Sequence, residues 1–184
     1  MSKVSRNILS IAKLSIGYGS KTVANNINFD LEAGMLCGVV GINGIGKSTL
    51  LRTLAGFQPK LFGNILLHGE PLEKYTSNTL SKELSVVLTE QPASKNLTVQ
   101  ELIALGRQPY TNWLGTLSKE DRQQIQASLD AFLLNELRNN KCHELSDGQL
   151  QRVLVARAMA QDTSLILLDE PTTHLDLFHK VQIL

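Results

Sequence analysis

Apolar and polar residues alternate early in the chain: Ile27, Phe29 and Leu31 are separated by Asn28 and Asp30, the two-residue period of a strand with one buried face. Short antiparallel strands are therefore expected to begin the fold. Residues 35–40 read differently, as a compact apolar run ending at Gly41, which predicts a buried strand, and residues 47–55 then read as a helix. The predicted unit is strand, glycine-rich loop, helix. Residues 65–67 and 84–88 supply two further strand candidates.

Helical texture takes over at Thr98. Thr98 with Glu101, and Ser118 with Asp121, fit the S/T-x-x-E/D spacing in which side chain and backbone cap each other at a helix start. Helices are predicted at about 99–106 and 119–134, the second carrying Ile125, Leu129, Phe132 and Leu133 as a core-facing stripe. A third, at about 148–161, follows Ser146 and leads into the apolar strand Leu165–Leu168, of the kind buried on both faces. The layout is α/β, with a helical segment at about 92–160 inserted between core and β segments at about 1–91 and 161–184. No internal repeat and no low-complexity tract interrupts it.

Composition narrows the classes. The chain has 184 residues, 42% of them hydrophobic, and 18 Lys plus Arg against 17 Asp plus Glu. That length can bury enough surface for one globular domain without a disulfide or structural metal. The near-neutral charge argues against a dedicated nucleic-acid module, which carries a concentrated basic face. No apolar run approaches the roughly 18 to 20 residues that span a bilayer, and the opening MSKVSRNILS lacks the apolar stretch of a signal peptide, so a cytosolic protein is expected. Cys37 and Cys142 stand apart from each other and from His at ligand spacing, which reads as two reduced thiols rather than a zinc site.

Chemistry concentrates in three places. Residues 41–49, GINGIGKST, satisfy G-x-x-x-x-G-K-[ST] between a predicted strand and a predicted helix. Glycines at 41, 44 and 46 permit close backbone approach, so several N–H groups can converge on phosphate oxygens at a helix N-terminus. Lys47 supplies a mobile charge for the β and γ phosphates, and the Ser48 hydroxyl suits Mg²⁺. Asp169 and Glu170 end the strand Leu165–Leu168, at the carboxyl edge where open α/β sheets bind ligands. There Asp169 can hold the Mg²⁺ shell, and Glu170 can polarise a water for in-line attack on a γ-phosphate. Between these lies Leu145-Ser146-Asp147-Gly148-Gln149, which opens a helix with Ser146 at its N-cap.

The phosphate loop, Gln91, the LSDGQ pentapeptide and LILLDEP, in this order, resemble the ATP-binding-cassette (ABC) ATPases from about Leu9 to the last residue. The resemblance implies a P-loop fold with a mostly parallel RecA-like core sheet, an N-terminal antiparallel β subdomain and a helical signature subdomain. It implies that Tyr18 stacks on adenine while Gly41, Asn43, Gly44, Gly46, Lys47, Ser48 and Thr49 surround the phosphates of ATP. Mg²⁺ would be met by Ser48, Gln91 and Asp169, with Glu170, Gln91 and Lys47 carrying catalysis. Ser146, Gly148 and Gln149 would approach the ATP of a second copy in a head-to-tail homodimer, and Asp176 would lie in a loop crossing between subunits.

Two features depart from the family pattern. Asp147 stands where Gly is commoner, and the chain stops at Leu184, before the family's switch histidine; His174 and His179 do not match it by position. A C-terminally truncated member is therefore expected. Leu105-Gly106-Arg107-Gln108-Pro109, with Trp113 and residues 118–121, is similar to importers of iron chelates, haem and cobalamin. That implies a pair of membrane permease subunits docked on the helical segment and Gln91, an external substrate-binding protein, and a place at the inner face of the membrane without nucleic acid. The alternatives are an ABC ATPase that clamps nucleic acid or ribosomes, and a nucleotide-binding fragment without turnover.

Overall fold

The computed structural model describes residues 7–88 and 96–170. The chain divides into two compact units, Met1–Leu80 and Ser81–Leu184.

In the first unit, strands β1 (Asn7–Tyr18) and β2 (Lys21–Glu32) form a long antiparallel pair. Helix α1 (Lys47–Leu54) follows, and strands β3 (Phe62–Leu67) and β4 (Glu70–Pro71) complete a sheet ordered β2-β1-β3-β4. The alternation in β2 is as expected, with Ile27, Phe29 and Leu31 more buried than Asn28 and Asp30. In β1 the phase changes midway: Leu9 and Ile11 are buried, and then Leu14 and Ile16. A bulge makes the change possible. Lys13 takes φ 51° at a register shift, and its N–H donates to Asn28 Oδ1 at 2.8 Å. One extra residue returns the apolar set to the core face instead of flipping it to solvent.

Residues 35–40 do not form the expected buried strand. No strand among the described residues pairs with them, and Val40 is 97% exposed. An apolar run becomes a strand only where a neighbour takes its N–H and C=O groups, and none of the described strands does so here.

A short helix, α2 (Ser77–Glu83), leads into the second unit. Strand β5 (Leu84–Val87) is followed by helices α3 (Val99–Ala104), α4 (Lys119–Ala131) and α5 (Asp147–Ala160), and by strand β6 (Leu165–Leu168). Strands β5 and β6 pair in parallel, Leu84 opposite Leu165 through Val87 opposite Leu168. Both predicted capping boxes, at Thr98 with Glu101 and at Ser118 with Asp121, are formed. Helix α5 is buried on two sides. Leu150, Val153, Ala156 and Ala160 join the core built with Val99, Leu102, Ile103, Ile125 and Leu129, whereas Val155 and Ala158 pack with Val87 and Leu168. Strand β6 is not buried on both faces as expected: on the face where Leu168 meets that small cluster, Ile166 stays 40% exposed.

Leu133 also departs from the expected stripe, being 69% exposed. Helix α4 ends at Ala131, and Leu133 turns left-handed at φ 53°. The Leu133 N–H then donates to Asp130 O and the Leu134 N–H to Leu129 O, at 3.1 and 2.9 Å. This is a Schellman closure, which puts the residue after the turn against the helix. Leu134, fully buried with Leu129, takes the core position. Because a left-handed leucine is strained where glycine is not, Leu133→Gly should stabilise the protein by about 0.5–1 kcal/mol, read as a raised denaturation midpoint.

Candidate functional site

The first unit brings together Tyr18 and the loop of residues 41–49. Gly46 is the N-cap of helix α1, with φ 112° and no side-chain cap. Its Cα lies so close to β2 that a Cβ there would sit 2.5 Å from Val23 Cγ1. Both the backbone conformation and the contact therefore require glycine. Gly44 is likewise left-handed at φ 80°, and the Ile45 N–H donates to Ile42 O. The first N–H groups of α1 consequently issue from a glycine turn, the arrangement in which a helix N-terminus attracts an anion. Lys47 Nζ folds back over this loop and donates to Gly41 O at 2.8 Å and Ile42 O at 3.1 Å. Asn43 and Gly44 lie at the exposed crest.

Tyr18 closes β1 with a half-exposed ring. Its hydroxyl lies 3.3 Å from Thr49 Oγ1, on the first turn of α1. Gln58, which the sequence did not single out, supports the same corner by donating from Nε2 to Gly17 O at 2.8 Å. No spacing rule marks a glutamine beyond a helix for that duty.

The second unit carries the remaining described candidates. Ser146 caps α5 as expected: its hydroxyl accepts the Gln149 N–H at 3.2 Å, and Gln149 Oε1 accepts the Ser146 N–H at 2.9 Å. Gly148 sits between them in the first turn. Asp147 is exposed there, where a carboxylate is favoured by the helix dipole. Asp169 continues the ladder beyond β6, its N–H donating to Val87 O at 2.9 Å, and is buried. Glu170 is exposed and left-handed at φ 50°, a conformation that costs a non-glycine residue energy. Gln91, His174, Asp176 and His179 lie outside the described residues.

The segment Leu105–Tyr110 proves to be an internal brace. Gly106 packs so tightly that a Cβ would collide with Arg157 O. Arg107 is buried, donating from Nε to Asp121 Oδ1 and from Nη1 to Ala160 O, each at 2.8 Å, with its guanidinium 4.0 Å from the Tyr110 ring centre. Burial pushes the Asp121 carboxyl up, but hydrogen bonds from Arg107 and Ser118 outweigh it and hold the group below the ordinary Asp range. Asp121 was legible only as a capping residue, because opposite charges 14 positions apart carry no local signal. Beyond the brace, Trp113 and Leu114 are exposed on a loop held by Asn112.

The family model described as ABC transporter matches residues 24–173. An ATP-binding protein of Bacillus subtilis named for siderophore transport is 40% identical over 96% of this chain and 64% of its own length. The iron(3+)-hydroxamate import ATP-binding protein of the same organism is 38% identical, over 97% of this chain and 66% of its own. The chain thus spans just under two thirds of the length of these relatives. A solved transporter attributed to the metal-chelate ABC type, in an inward-facing conformation, superposes with a TM-score of 0.81 at 31% identity, covering 97% of this chain and 65% of that one.

Asp121→Ala should destabilise the second unit by about 3–5 kcal/mol, because it leaves the Arg107 charge buried without its partner. The native pair should also give an acid dependence. With the folded pKa lowered, its contribution is complete above the unfolded Asp value of about 4 and is lost as pH falls through the lower, folded value. Urea midpoints measured from pH 7 down to pH 3 should therefore fall less steeply in Asp121→Ala than in the parent.

Proposed function

The chain belongs to the ABC transporter family, and from that membership we propose that it binds and hydrolyses ATP to drive import of an iron chelate of the siderophore type. The observation that carries the reading is the glycine-turned loop of residues 41–49 entering α1 with Lys47 folded over it. The names of the relatives support the substrate class.

Lys47 exchanges the Gly41 and Ile42 carbonyls for phosphate oxygens. Those neutral acceptors are weaker partners for an ammonium than an anion is. Gly41, Asn43, Gly44, Gly46, Ser48 and Thr49 line the phosphates, and Tyr18 offers its ring to adenine, a contact of buried area and π-face packing. Ser48 and Asp169 fit Mg²⁺ by donor chemistry, since both present hard oxygens. Mg²⁺ takes much of its shell from phosphates and water. With Gln91 as a further oxygen donor, these residues would hold the ion, which when bound neutralises phosphate charge. Glu170 orients and polarises the attacking water, for which an exposed carboxylate at the end of a strand is suited.

Ser146, Gly148 and Gln149 present the start of α5 to the nucleotide of a second copy, making a head-to-tail homodimer. ATP then favours the closed dimer, and loss of the γ-phosphate reopens it. The helical segment of about 92–160 docks beneath a pair of permease subunits at the inner face of the membrane, an external binding protein delivering the chelate. Exposed Trp113 and Leu114 supply apolar surface for that contact. Among the described residues no helix is long and apolar enough to cross a membrane.

In the intact transporter, Glu170→Gln should retain ATP but cut turnover by roughly 10² to 10⁴, the usual scale for a general base. Lys47→Ala should not retain nucleotide at micromolar concentration. Radiolabelled ATP retention and phosphate release measured together decide the point. Wild-type turnover in Glu170→Gln, or ATP retained by Lys47→Ala, would contradict the assignment.

A further inference from the structure

The phosphate loop and the aromatic at the end of β1 are joined by one hydrogen bond between side chains, Tyr18 OH to Thr49 Oγ1 at 3.3 Å. Both ends are fixed. Thr49 is buried, and its carbonyl accepts the Thr53 hydroxyl at 2.8 Å, so this turn of α1 is pinned from below. Tyr18 follows Gly17, whose carbonyl accepts from Gln58 Nε2, and the Leu61 N–H donates to Ser15 O nearby. The strand end that carries Tyr18 is thereby tied to the segment leaving α1, while Tyr18 itself is tied to the helix's first turn.

Each hydroxyl owns one proton and can accept as well as donate. If Thr49 donates to Tyr18, it turns a lone pair towards the loop, which repels an anion. If Tyr18 donates to Thr49, the Thr49 proton is left for an oxygen in the loop, and the two bonds polarise each other. An anion, which can only accept, selects the second direction.

We infer that the Tyr18 hydroxyl is a positioning group for the phosphate side of the site: by donating to Thr49 it aims the Thr49 proton at the bound phosphates, so that one residue serves base and phosphates at once. This rests on the nucleotide reading above, and it assigns to Tyr18 a task that ring stacking does not require. Phenylalanine would keep the ring face and lose the aim.

The test separates the two tasks. Affinities for Mg-ATP, by calorimetry, and for adenosine, by ligand-observed NMR titration, are measured for the full chain and for Tyr18→Phe, Thr49→Val and the double variant. Tyr18→Phe should weaken ATP about 3- to 10-fold, the scale of one hydrogen bond, and adenosine less than about twofold. In the Thr49→Val background the same change should weaken ATP no further, whereas Thr49→Ser, which keeps the hydroxyl, should restore the sensitivity. Unchanged ATP affinity in Tyr18→Phe, equal losses for ATP and adenosine, or additive losses in the double variant would overturn the inference. A parent chain that binds no ATP would instead overturn the function on which it rests.

Discussion

Helix α1 starts where it does because position 46 has no side chain. A Cβ would enter Val23, and φ 112° is open to glycine and strained in other residues. The contact seats the helix start against β2 and turns the preceding loop back on itself, so that its carbonyls at 41 and 42 come within reach of Lys47. Everything proposed for phosphate binding depends on that approach, since the helix N-terminus acts on an anion only across the first turn. The bulge at Lys13 matters as well, because it lets β1 bury Leu14 and Ile16 on the way to Tyr18.

In the second unit helix α5 has the corresponding position. One side closes the helical core and another packs on Val87 and Leu168, while its first turn is capped by Ser146 and Gln149. A helix buried on two sides has little freedom to turn about its axis, so its exposed N-terminus is presented in a defined direction. The Arg107 brace ties the far end by bonding Ala160 O. The resemblance to metal-chelate importers in residues 105–109 thus includes two positions, Gly106 and Arg107, whose work is packing rather than contact with a partner.

Local signals were legible in the sequence, and pairings over distance were not. The capping boxes at Thr98, Ser118 and Ser146 were readable because cap and responder lie three residues apart. The glycine turn that enters α1 was readable because glycine and lysine recur at fixed spacing ahead of a helical run. The fate of residues 35–40 is not legible locally, because an apolar run states a preference for burial and not who supplies the neighbouring strand. Leu133 departs from the stripe because helical periodicity does not say where the helix stops, and a left-handed residue there moves the core position to Leu134. The Tyr18–Thr49 and Arg107–Asp121 contacts join residues 31 and 14 positions apart, beyond the reach of any periodic pattern.

The backbone N–H groups leading into α1 are proposed to receive phosphate, and amide hydrogen exchange of residues 44–49 reads those groups directly. Saturating Mg-ATP should slow their exchange well beyond that of the β1–β2 turn, as bonded donors are protected. Exchange in this stretch that is the same with and without bound nucleotide would contradict the claim that the loop holds the phosphates.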